Sequence, residues 1–186
     1  MTQTIVPRPI AWILTENKSG SFNLAPYSYF NALSSDPAMA VMSVGVQIDG
    51  SLKDTRINLE EREFAVIHIA HREMAAQMTA TAATLAEGVS EVTELGLELA
   101  DMPGSTIPRL ADCRVAYAAK LVDTKLINKQ WLAFLELTDV YLDDEIVGED
   151  SKGRLKVLAD KLDPIGRLGG GEYVMAGEVV TVARPA

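Results

Sequence analysis

"IAWILTENKSGSFNLAP", residues 10–26, is the stretch that decides the fold. Its first six residues are short, apolar and rich in β-formers, and the polar ENKSG that follows, closed by Gly20, reads as a turn. FNLAP then returns as a second strand. Side chains alternate along a strand, so Phe22 and Leu24 share one face and Asn23 takes the other. Similar runs recur at 40–46, 64–70, 114–126 and 132–142, the last long and apolar enough to cross a core. In the first of these Ser43 and Gly45 share a face. A hairpin followed by such runs predicts an antiparallel, barrel-like sheet, mainly β with some α. Helices are expected at 54–64, where DTRINLEEREF opens with cap residues, and at 73–85, which is rich in Ala and Met. Weak periodicity over 88–108 predicts an excursion across the barrel, and a final strand is expected at 178–183.

The totals bound the function. The 186 residues fit a single domain, 1–186, and a hydrophobic content of 48% supplies its core. A net charge of -9 repels polyphosphate, which argues against nucleic-acid binding while leaving room for one locally held phosphate. Cys113 is the only cysteine, so an intramolecular disulfide and a cysteine-based zinc site are excluded. It reads as a small buried hydrophobe. No apolar run approaches the ~18 residues of a spanning helix and the N-terminus lacks a signal-peptide layout, so a cytoplasmic protein without membrane association is expected.

Two stretches carry chemistry. KDTRIN, residues 53–58, places a lysine where a helix begins with unpaired N–H groups and a partial positive charge, the parts of a phosphate cradle. Alternatively, Asp54 or Thr55 caps the helix and Lys53 is solvated. In NLAPYSYFNALSSDP, residues 23–37, Tyr27, Tyr29 and Phe30 stand among Asn23, Ser28 and Asn31. Such residues suit a flat heteroaromatic ligand whose edge needs donors and acceptors. They equally suit core aromatics at a strand end, with Ser34 and Ser35 starting a turn.

Other features carry bland readings. His68 and His71, three apart on a strand, face opposite sides and share no metal; no metal site is expected. The glycines at 166 and 169–171 form a close-approach loop and not a dinucleotide fingerprint, with Arg167 as a candidate anion contact. Asp139, Asp143, Asp144 and Glu145 read as a solvated strand end.

Taken in order, VPRPIAWILT (6–15), NLAPYSYFNALSSDP (23–37) and KDTRIN (53–58), with PIGRLGGGEY (164–173), resemble the flavin reductase-like family of FMN-binding split barrels, which includes flavoredoxin-type proteins. The resemblance implies an antiparallel split β-barrel with peripheral helices that forms a homodimer, with FMN near the subunit interface. Asn23, Ala25, Pro26, Tyr27, Ser28, Tyr29 and Asn31 would line the ring and ribityl chain. Ser43 would lie beside them, and Lys53, Asp54, Thr55 and Asn58 would take the phosphate end. FMN is expected over FAD, since no adenine pocket is evident in the sequence. The implied activity is an oxidoreductase passing electrons from NADH or NADPH through flavin to an unidentified acceptor. The cofactor carries the chemistry, so no protein acid or base is assigned a catalytic role. The alternative is an FMN-binding electron carrier or redox sensor reduced by a partner protein. A third possibility is a split barrel without flavin.

Overall fold

The computed structural model describes residues 1–86 and 88–182. Seven strands form one antiparallel sheet: β1 (Ala11–Glu16), β2 (Phe22–Tyr27), β3 (Phe30–Ser35), β4 (Ala38–Val44), β5 (Phe64–His68), β6 (Val115–Ile127) and β7 (Gln130–Leu142). Their order across the sheet is β2-β1-β5-β6-β7-β4-β3. The two edge strands, β2 and β3, are therefore consecutive in the chain and joined by Ser28 and Tyr29 alone. So short a link spans roughly 11 Å at most, and the sheet has to roll up until its edges meet. One residue before β3, its ladder with β4 continues: the Ser43 N–H donates to the Tyr29 carbonyl at 2.8 Å.

β1 runs through the middle of the packing and is buried on both faces. Trp12 and Leu14 point into one apolar cluster with Leu24, Val66, Met78 and Leu110. Ala11 and Ile13 point into the other, with Met42, Val44, Leu59, Trp131 and Leu135. Each large side chain so buried contributes roughly 1.5–3 kcal/mol. β4 and β7 alternate in the same way: Met42 and Val44 with Trp131 and Leu135 face inward, while Val41, Leu132 and Phe134 stay half-exposed on the opposite face. The 88–108 excursion is observed. It lays Val92, Met102 and Ile107 onto the first cluster.

Helix α1 (Asp54–Arg62) buries only Thr55, Asn58 and Leu59. It stops at Arg62, short of the expected 64, because Glu63 adopts φ 66°, the left-handed conformation that ends helices, and its N–H donates to the Leu59 carbonyl. The expected helix over 73–85 shrinks to a 3-10 turn, Arg72–Met74, and α2 (Ala75–Ala80). Its end is fixed by Thr81, whose hydroxyl donates to the Met78 carbonyl at 2.8 Å and accepts from the Trp12 indole at 2.9 Å. Local propensity favours a longer helix; the tertiary contact overrides it. The strand expected at 40–46 begins and ends two residues earlier. β3 was not expected as a strand at all. At the C-terminus residues 178–182 form no strand, and Val179, Val180 and Val182 are exposed; the last residue of that expected strand, position 183, lies outside the described residues.

Candidate functional site

The register Thr15↔Asn23 sets these two side chains beside one another on the face that meets α1. A buried polar layer follows from it. The Asn23 amide donates to the hydroxyls of Thr15 (3.0 Å) and Thr55 (2.9 Å), and the Tyr27 phenol donates to Thr55 at 3.1 Å. Asn58 donates to the Thr15 hydroxyl (3.1 Å) and to the Asn17 side-chain oxygen Oδ1 (2.8 Å). Leaving such groups unpaired would cost about 1–3 kcal/mol each, so the layer bolts α1 to the β1–β2 hairpin in one position. Burial pushes the Tyr27 pKa up to about 12, which keeps it a phenol.

The helix start is the next feature. Lys53 occupies the N-cap with extended backbone and gives no side-chain cap. Neither Asp54 nor Thr55 is the capping residue, and the Thr55 hydroxyl is turned into the polar layer. Lysine is not a cap former, so the N-cap side chain brings the first-turn N–H groups no oxygen, while Asp54 sets a carboxylate within that first turn. The Lys53 ammonium stands over the Tyr27 ring, 5.4 Å from its centroid. A small pocket of about 100 Å³ lies in front, walled by Asn23, Ala25, Pro26, Tyr27, Lys53 and Asp54. These residues fit a phosphate-bearing flavin at its anionic end.

The same pocket has walls that sequence reasoning missed: Gln47, the segment 81–85 and Glu91. Glu91 is buried, its carboxylate accepts from the Leu24 N–H at 2.9 Å, and burial raises its pKa. The only local signal was Ser90, which N-caps the short helix α3 (Glu91–Glu94). Nothing in the sequence says that this turn lands on β2, 67 positions away.

Ser28, Tyr29, Asn31 and Ser43 line a separate groove of about 480 Å³, together with Phe30, Val41, Leu132 and the Pro7-Arg8-Pro9 run. The two cavities share no lining residue and are neighbours along the chain at Tyr27 and Ser28. Ser43 donates to Gln130 at 2.8 Å, and a Cβ on Gly45 would meet the same glutamine, which confirms their shared face. Arg8 is buried, and its guanidinium is consumed by chain carbonyls: Thr2 (2.7 Å), Ile5 (2.9 Å) and Leu168 (2.9 Å). It clamps the N-terminal segment to the glycine-rich loop. That loop makes the close approach expected of it, since a Cβ on Gly166 would come within 2.7 Å of Pro7.

Arg167 stands apart from Lys53. Its backbone pairs with Arg8, and its guanidinium meets the Gly170 carbonyl and the Tyr173 ring. Asn58 lies beneath α1 and borders a further cleft with Asn17 and Lys18. The histidines part company, because β5 ends at His68 and His71 lies beyond it. His68 accepts from the Leu110 N–H at 2.9 Å, which assigns its other nitrogen as donor to the Trp12 carbonyl. His71 contacts Glu73 at 3.4 Å. Cys113 is buried and its thiol is pushed up to about 12 by burial, an inert small side chain as read. Among the described residues no group of three His, Cys, Asp or Glu is placed to hold a metal, and no helix is long and apolar enough to cross a membrane.

Residues 2–159 match the family model described as a flavin reductase like domain. The YwrF protein of Bacillus subtilis (strain 168) is 32% identical over 191 residues, covering 100% of this chain and 92% of that protein. Nitrilotriacetate monooxygenase component B from Bacillus cereus superimposes with a TM-score of 0.86 at 28% identity, covering 97% of this chain and 90% of that one. Pseudomonas fluorescens 2-nitrobenzoate 2-nitroreductase NbaA does so with a TM-score of 0.85 at 31% identity, covering 99% and 88%. With its rolled antiparallel sheet and this match over most of its length, the chain belongs to the flavin reductase-like family of split-barrel, flavin-related redox proteins.

Proposed function

We propose that the protein is an FMN-dependent oxidoreductase that draws electrons from a reduced nicotinamide nucleotide. The observation that carries this reading is the helix start: a lysine at the N-cap, no side-chain cap, and a pocket in front of it that opens along β2. Lys53 and the first turn of α1 hold the phosphate. The backbone from Ala25 to Ser28 follows the ribityl chain and ring edge toward the groove of Tyr29, Asn31 and Ser43. When bound, flavin supplies the redox chemistry, taking two electrons from the nicotinamide and releasing them to an acceptor.

The chain's own part is positioning. The polar layer fixes the distance between the phosphate seat and β2. Tyr27 stays protonated and keeps Thr55 in place. Pro26 presents no backbone donor, so ring-edge contacts fall to its neighbours. Two solved relatives indicate acceptor classes by their names, a nitroaromatic acid and a monooxygenase partner component. The edge strand β3, with Leu33 half-exposed, and the half-exposed Val41, Leu132 and Phe134 favour a homodimer that covers the groove and the ring within it.

The absorbance spectrum of the purified protein, followed by mass identification of what heat releases, tests the cofactor. Anaerobic addition of NADH and then NADPH tests the donor, and bleaching of the flavin band by one of them is expected. If the flavin band stays unchanged with both, the nicotinamide oxidoreductase reading is wrong. The net charge of -9 favours the second reading in that case, an electron carrier docking a basic partner.

A further inference from the structure

We propose that residues 178–182 form an arm that adds as a strand to the outer edge of β3 in a second copy of this chain; this rests on the homodimer reading above. The segment EVVTV has the composition of a strand, with Val179, Val180, Thr181 and Val182 all β-branched. Among the described residues, however, nothing pairs with it: no hydrogen bond joins residues 177–182 to the rest of the chain. Val179, Val180 and Val182 are 61%, 70% and 81% exposed. Strand-forming apolar residues left in water gain by finding an edge to pair with.

The root of the arm is fixed. The Ala176 N–H donates to the Asp163 carboxylate at 3.1 Å, Arg72 grips the same carboxylate, and Met175 packs on the first apolar cluster. Pro7, Arg8 and Pro9 border both the hollow that holds Met175 and Ala176 and the groove of Asn31 and Ser43, so the arm leaves the fold beside that groove. β3 offers the matching edge. It ends the strand order, its residues 31–35 are exposed, and Leu33, skipped where the register passes from Ala32↔Ala40 to Ser34↔Met39, is 51% exposed. Residues 31–35 and 178–182 are equal in length, each spanning roughly 17 Å when extended. Neither segment contains a lysine or proline to blunt pairing, and Glu178 is the sole charge in the two, so no like charges oppose. In a two-fold dimer built on the groove, each arm root faces the other copy and the arms exchange reciprocally. Alternation sets Val180 and Val182 on one face, where they cover Leu33 and add a wall to the groove.

Hydrogen exchange read by mass spectrometry on the full-length protein is expected to show residues 178–182 protected in the parent dimer and exchanging freely in monomeric Leu33→Lys. The double variant Val180→Asp/Val182→Asp, altered only on the exposed arm, is expected to weaken the dimer by about tenfold or more in sedimentation, with its far-ultraviolet circular dichroism unchanged. A parent dimer whose arm exchanges freely, or a dissociation constant that the arm variant leaves unmoved, overturns the arm while the homodimer stands. A monomeric parent overturns both. Protection that persists in Leu33→Lys, whether monomer or dimer, places the arm elsewhere and also overturns the proposal.

Discussion

The pocket in front of α1 and the groove beside the β2–β3 seam share most of the residues read as flavin contacts, yet they are built in opposite ways. The pocket stands on buried hydroxyls and amides that satisfy one another: Thr15, Asn23, Tyr27, Thr55 and Asn58 form one connected layer. The groove stands on an edge strand whose residues 31–35 are all exposed. The first is finished within one chain, so its geometry is set by folding. The second presents an edge-strand backbone and apolar side chains, and under the proposed homodimer its geometry is completed by what covers it.

The largest effect is expected where the pocket is most tightly closed. Thr55→Val removes the acceptor shared by the Asn23 amide and the Tyr27 phenol, and should cost about 3–4 kcal/mol in urea unfolding, against less than about 0.5 kcal/mol for Ser28→Ala in the groove. Similar costs for the two would end the contrast between finished and unfinished sites.

Acid should reach the pocket through the core. His68 is fully buried and desolvation lowers its pKa to about 4. The unfolded chain takes this proton first, so the stability held by the neutral ring is complete above pH 6.5 and is lost as pH falls toward 4, by about 3 kcal/mol in total. The His68 Nδ1–H donates to the carbonyl of Trp12, whose indole donates to Thr81 on the pocket wall. Urea midpoints between pH 7 and 4.5 should therefore fall in the parent and flatten in His68→Gln. A parallel fall in both would show that another group carries the acid sensitivity.

Lys53→Ala should weaken FMN by about 10- to 100-fold, the value of one charge-assisted contact, and leave riboflavin unchanged. Fluorescence titration of both ligands decides it, since equal losses would remove Lys53 from the phosphate. The smallest change in folding stability is expected for Leu33→Lys on β3: within about 0.5 kcal/mol by urea unfolding, with a shift from dimer to monomer in sedimentation. A dimer that survives would mean that the groove is covered elsewhere.

The pocket was also the more legible of the two in the sequence. Alternation in residues 10–26 announced β1, β2 and the placing of Asn23 on the face opposite Phe22 and Leu24, and KDTRIN announced a helix start. What could not be read was which hydroxyl faced where: Thr55 seemed a phosphate contact and turns out to hold the layer together, because the pairing of α1 with β2 is tertiary. The segment 81–85 was hidden inside an apparent helix, which is cut short by an indole 69 positions earlier in the chain. β3 was missed because FNALSS lacks a buried face, so no alternation marks it. Arg167 looked like a cation for a ligand, while the carbonyl and ring it meets belong to its own loop.

The two-residue link between the sheet's edges also bears on how the chain folds. Because β2 and β3 are neighbours in sequence, bringing the rims together carries almost no loop-closure entropy. The slow event should instead be the meeting of β4 with β7, where Ser43 must find Gln130 across 87 positions. Substitutions along that ladder are therefore expected to slow refolding, whereas changes at Ser28 and Tyr29 should leave its rate almost untouched.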